Sequence, residues 1–185
     1  MNVYCDIDGV LADFSGGVLR AFGLPENLLQ NIVDKNGGRI PWTWFPEVGL
    51  QLDQVNDICT SDFWAGLDWM PDGKEILELI EDEFGYDNIY LLTTPMPNVG
   101  SYDGKIRWVQ NHIPRFLNRT IITQAPKYIF ANDNAILIDD RDENIEAFRQ
   151  HKGHASLVSR IWNKGYERAN LDMTLYDLEL NIKEI

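Results

Sequence analysis

The residues best suited to chemistry come early. Val3-Tyr4-Cys5-Asp6-Ile7-Asp8-Gly9-Val10-Leu11-Ala12-Asp13-Phe14 carries an apolar run into two carboxylates and a glycine. Residues i and i+2 of an extended chain point the same way, so Asp6 and Asp8 start on one face where the strand stops. Two neighbouring acids with no basic residue close in sequence repel each other, which costs stability unless a cation compensates. A divalent metal beside a nucleophilic carboxylate is the economical reading. Gly9 lets the backbone turn sharply and approach a ligand. Taken alone, Asp-x-Asp-Gly also fits a strand ending in a polar turn, where both residue types are common. A calcium loop of the EF-hand type is excluded by spacing. It needs a third oxygen ligand ahead of a glycine at its sixth position, and here Gly9 stands fourth.

Two more apolar runs end in reactive groups: Asn88-Ile89-Tyr90-Leu91-Leu92-Thr93-Thr94-Pro95 and Ala135-Ile136-Leu137-Ile138-Asp139-Asp140. Short strands are expected over Thr120–Thr123 and Ala155–Val158 as well. Helical patterns separate them: Asp72–Phe84, with Ile76, Leu77 and Ile80 inward, then Tyr102–His112 and Asp142–Gln150. Strands alternating with helices predict an α/β fold, a parallel sheet covered on both faces. Ligands of such sheets gather at the carboxyl ends of the strands, near the reversal of strand order. Three strands ending in Asp6 and Asp8, Thr93 and Thr94, and Asp139 and Asp140 therefore converge on one site. Each ending also has a plainer reading. Thr93 and Thr94 could satisfy backbone groups in a turn before Pro95. Asp139 and Asp140 could be turn residues, although Asp142 is better placed to cap the following helix. Lys127, between the third and fourth strands, would offset a surplus of negative charge beside one divalent ion.

Between the first strand and Pro71 lies a different stretch. Phe14, Val18, Leu19 and Phe22 recur at helical spacing, a second helix is expected near residues 26–35, and a third over Leu52–Thr60. Four of the six tryptophans fall between positions 42 and 69. The stretch reads as a small helical insert, about residues 15–70, over a core of residues 1–14 and 71–185.

Composition narrows the classes. A chain of 185 residues supports one domain with a sizeable core. With 29 acidic against 16 basic residues, the net charge of −13 argues against polymeric nucleic acid as a partner. A small anionic substrate is compatible if metal and lysine make the site locally positive. No apolar run is long enough to span a bilayer. Met1-Asn2 enters a strand without a charged leader, and Cys5 and Cys59 lack metal-like spacing. Reduced, buried thiols in a cytoplasmic protein are expected. The pattern leaves a homodimer open.

In order, Asp6-Ile7-Asp8-Gly9-Val10, Thr93, Lys127 and Asp139-Asp140 resemble the four motifs of the haloacid-dehalogenase-like phosphatase superfamily. At finer grain, the stretch from Asp6 to Phe14 followed by Gly16-Gly17, then Leu92-Thr93-Thr94-Pro95 and Leu137-Ile138-Asp139-Asp140-Arg141, is similar to the 5′(3′)-deoxyribonucleotidase family. The resemblance covers nearly the whole chain and is loosest in the insert. It implies a Rossmann-like core with strand order 5-4-1-2-3 and a helical cap. It implies Asp6 as nucleophile, forming an aspartyl-phosphate, and Asp8 as the acid that protonates the departing oxygen. Mg²⁺ would be held by Asp6, the main-chain carbonyl of Asp8, Asp139 and Asp140, with the direct ligand of that last pair open. Thr93 and Lys127 would bind the phosphoryl group, with Thr94, Lys105 and Arg141 as further phosphate contacts. For Lys105 a solvated helix position is the alternative. Phe14 by motif, and Trp42 and Trp44 by location, could stack on a nucleobase, though tryptophans equally fill small cores. The implied substrate is a nucleoside monophosphate or another small phosphomonoester such as a sugar phosphate. A phospho-accepting signalling receiver also gathers acids, threonine and lysine around magnesium. It carries its acid pair first and its acceptor later, with no insert after the first strand, and the order here is the reverse.

Overall fold

The computed structural model describes residues 1–183. Its strands are β1 (Asn2–Cys5), β2 (Ile89–Thr93), β3 (Thr120–Ile122), β4 (Ala135–Asp139) and β5 (His154–Leu157). All pair in parallel, in the order β3-β2-β1-β4-β5, which is the expected order read from the opposite edge. The reversal falls at β1, so the ends of β1, β2 and β4 lie side by side.

Period-2 alternation divides the strand side chains between two cores. Val3 and Cys5, Ile89 and Leu91, and Ile136 and Ile138 face a large one. It includes Ile76 and Ile80 of α5 (Gly73–Phe84), Trp108 and Val109 of α6 (Val99–His112), and Leu178 and Ile182 of α8 (Leu171–Lys183). Tyr4, Leu92, Ala135 and Leu137 face a smaller core with Ile145 and Phe148 of α7 (Asp142–Gln150). Burial on both faces is why these strands read as unbroken apolar runs. Cys5 and Cys59 are free and buried.

The insert carries α1 (Phe14–Ala21), α2 (Leu28–Asn36), α3 (Leu52–Ile58) and α4 (Ser61–Ala65). The helix expected over Leu52–Thr60 is α3, which ends at Ile58; Thr60 is extended and caps the separate α4, accepting from the Phe63 N–H at 3.3 Å. The two legs of the insert form a neck: the Met70 N–H donates to the Leu11 carbonyl at 2.7 Å and the Asp13 N–H to Asp68 at 2.8 Å. Trp44, Phe45, Val55 and Trp64 of the insert join the large core of the sheet. α4 lies directly on α6, close enough that a Cβ at Gly104 would strike Trp64 and the Ser61 backbone. No helix among the described residues is long and apolar enough to cross a membrane.

Candidate active site

β1 and β4 end in adjacent register, and this sets three acids together. The Asp6 N–H donates to the Ile138 carbonyl at 2.9 Å, extending the β1–β4 ladder by one step. Beyond it the Ile7 carbonyl accepts from Leu11 and Ala12, both at 2.8 Å, curling the chain into a tight turn. Gly9 makes that turn possible with φ +75°, and a Cβ there would strike the Asp140 carboxylate. One carboxylate oxygen each from Asp6, Asp139 and Asp140 lie within 4.8 Å of one another, all three residues buried. The Lys127 ammonium, 4% exposed, stands 2.8 Å from Asp6 and 2.7 Å from Asp139. Burial pulls the Lys127 pKa down, but the charges of Asp139 and Asp6 outweigh it and hold the ammonium above its ordinary value.

The carboxylates of the acid pair are partnered differently. Asp139 accepts from the Arg141 N–H at 2.8 Å, from Asn144 at 3.1 and 3.0 Å, and from Lys127, so both its oxygens are engaged. Asp140 accepts from the Trp162 indole at 2.7 Å on Oδ2, while its buried Oδ1 has no partner among the described residues. Burial, then the charges of Asp139 and Asp6, push the Asp140 carboxyl well above the usual carboxylate range. A buried carboxylate that keeps an unpaired oxygen and is grouped with two others fits a hard cation that takes oxygen ligands.

The Asp8 carboxylate is not in this cluster. It is bonded to the Lys105 ammonium, with the Thr93 hydroxyl at 3.4 Å. Burial raises the Asp8 carboxyl and Lys105 draws it back. Lys105 is 1% exposed rather than a solvated helix residue; it also donates to Thr93 at 3.1 Å and lies 4.3 Å over the Trp64 ring. A desolvated cation–π contact of this kind is worth about 2 kcal/mol.

The aromatic residues separate. Phe14 is half-buried and stacks flat on Trp64, with centroids 5.0 Å apart and planes 9° apart. Trp44 is a correction to the expected base contact: it is 2% exposed, packs on Phe45 and points its indole at Ser15, which makes it core. Trp42 and Arg141 meet, guanidinium over ring at 5.0 Å, on the wall of a cavity of about 430 Å³ that also reaches Asp140 and Trp162. Thr94 lies exposed just past β2. Asp142 does not cap α7 with its side chain; it is the first helical residue and receives Arg39 at 2.6 Å.

Several site residues carry no sequence signal strong enough to single them out. Asn144 sits in the first turn of α7, and Trp162 and Arg160 lie in a loop with no periodicity. Arg160 donates to the Gly9 carbonyl at 2.6 Å and to both oxygens of Asp72 at 2.7 and 2.8 Å.

The sheet order, the acids at its carboxyl edge and the insert after β1 are the arrangement that the resemblance to haloacid-dehalogenase-like phosphatases implied. A hydrolase from Pseudomonas syringae shares the fold, with a TM-score of 0.52 at 15% identity over 100% of this chain and 98% of that one. Residues 1–184 match the family described as 5′ nucleotidase, deoxy (pyrimidine), cytosolic type C protein, and the chain belongs to that family, which makes it a phosphatase. Among its relatives, the mitochondrial 5′(3′)-deoxyribonucleotidase of Mus musculus is 30% identical over 155 residues, 77% of this chain and 66% of that protein. The cytosolic-type 5′(3′)-deoxyribonucleotidase of Homo sapiens is 28% identical over 149 residues, 77% and 71% respectively.

Proposed function

We propose that this phosphatase hydrolyses deoxyribonucleoside monophosphates with Mg²⁺, through a phosphoryl group carried on Asp6. The observation that carries the reading is the cluster of Asp6, Asp139 and Asp140 within 4.8 Å, with Lys127 bridging the first two. Asp140, which keeps a free oxygen, is the direct ligand of the pair, and Asp139, saturated by Lys127, Asn144 and the Arg141 N–H, orders the lysine. Asp6 and the Asp8 main-chain carbonyl complete the protein's share. A magnesium ion held by these residues would supply positive charge to the phosphoryl oxygens.

An oxygen of Asp6 attacks phosphorus and the bond to the nucleoside oxygen breaks. Asp8 gives its proton to that departing oxygen, a role its raised pKa suits. Asp8 then takes a proton from the water that attacks phosphorus, and Asp6 leaves as carboxylate. Lys127 and Thr93 hold the phosphoryl oxygens. Lys105 holds Asp8 in place, and Arg141 with Trp42 lines the approach, where a nucleobase could stack. The insert, residues 15–70, acts as the cap that keeps bulk water from the phosphorylated Asp6.

Turnover of thymidine and deoxyuridine monophosphates against a panel of sugar phosphates, with Mg²⁺ and with chelator, tests the reading. Nucleotide turnover that needs Mg²⁺ and is abolished in Asp6→Asn is expected. Preference for sugar phosphates would overturn the substrate, and an active Asp6→Asn the mechanism.

A further inference from the structure

The loop after β5 reaches Asp140 from behind with two residues. The Asn163 amide donates to the Asp140 carbonyl and to the Val158 carbonyl, both at 2.8 Å, fixing the loop to the end of β4. The Trp162 indole N–H donates to Asp140 Oδ2 at 2.7 Å. A carboxylate can rotate about its last torsion, which is broad and two-fold. One bond from a rigid ring settles which oxygen faces the site, and here Oδ1 is the one left free.

The chemistry of the donor matters. Asp6 and Asp139 share the charge of Lys127. Asp140 is held by an indole, which donates and cannot accept. A neutral donor orients Asp140 without supplying a counter-charge, so Oδ1 is left to pair with a cation. The ring is itself confined: a Cβ at Gly9 would lie 3.2 Å from Trp162 Cζ2, and Trp42 of the insert meets it edge-on at 6.0 Å and 73°.

We infer that Trp162 is a positioning residue for the metal site, holding Asp140 so that Oδ1 points to the ion shared with Asp6. The inference rests on the metal-dependent reading above, and it gives the indole N–H a role beyond packing. A residue that orients a metal ligand typically affects metal affinity by 10–100-fold.

Two substitutions separate donor from bulk. Trp162→Phe removes the N–H and keeps an aromatic ring; Trp162→His places its Nε2 where the indole nitrogen stands and removes the outer ring. Mg²⁺ affinity is measured by calorimetry on the substrate-free protein, beside thermal stability and kcat. The expected result is affinity about 10–100-fold weaker in Trp162→Phe and largely restored in Trp162→His, whichever variant is the less stable. Equal affinity in all three proteins would overturn the inference, and so would loss in Trp162→His with none in Trp162→Phe, since that order reports packing. A wild-type protein that does not bind Mg²⁺ would remove the metal reading itself, and this inference with it.

Discussion

Asp72 and Arg160 form a buried two-pronged ion pair whose removal has a calculable cost. Their side chains are 5% and 7% exposed. The guanidinium bonds both carboxylate oxygens and the Gly9 carbonyl, joining the turn after β1, the start of α5 and the loop after β5. Asp72→Ala leaves a buried guanidinium with no counter-charge and two of its donors unpaired. Breaking a buried pair from one side costs about 3–5 kcal/mol, well above the 0–1 of an exposed pair. With a urea m-value of about 1–3 kcal/mol/M, the unfolding midpoint should fall by roughly 1–5 M. The double variant Asp72→Leu with Arg160→Met should lose less than Asp72→Ala, because no charge is stranded. Equilibrium urea unfolding followed by tryptophan fluorescence measures both. A midpoint shift under about 0.3 M for Asp72→Ala, or additive losses in the double variant, would refute the reasoning.

Lys105→Met preserves packing beneath Trp64 but removes the cation held by Asp8; kcat should fall by about 10²-fold or more with the fold intact, measured by phosphate release and circular dichroism. Unchanged kcat would take Lys105 out of the machinery. His112 accepts the Trp69 indole N–H on Nδ1 at 3.1 Å, and burial lowers its pKa below the ordinary 6.5. A depressed histidine pKa favours the neutral folded form, so this contribution is present above pH 6.5 and lost as pH falls through the folded value. In His112→Gln, whose amide can accept the same bond, the decline of melting temperature from pH 7 to pH 5 should be shallower than in wild type; parallel curves would contradict it.

The sheet could be read in the sequence because both its faces are buried, which leaves the strands as plain apolar runs ending in Asp6, Thr93 and Asp139. Lys105 could have been read more firmly. Ser101, Gly104, Lys105, Trp108 and Val109 are the buried stripe of α6, and a lysine on that stripe must find an acid inside. Trp44 was undecidable from position alone, since core and pocket ask for the same apolar surface. The loop of Arg160, Trp162 and Asn163 was invisible for a different reason. Its partners Gly9, Asp72 and Asp140 are distant in sequence, and no periodicity records such contacts. α8, beyond the last predicted strand, places Leu171, Met173, Leu175, Leu178, Leu180 and Ile182 mostly at every second position rather than at helical spacing, which hides it, yet Leu178 and Ile182 close the large core.

The stereochemical course at phosphorus tests most directly whether the Asp6 carboxylate, rather than water, makes the first attack. A nucleotide substrate with an isotopically chiral phosphate is hydrolysed and the configuration of the released phosphate determined. Two in-line displacements, one by Asp6 and one by water, predict net retention. Net inversion would mean a single direct attack by water and would contradict the phosphorylated Asp6.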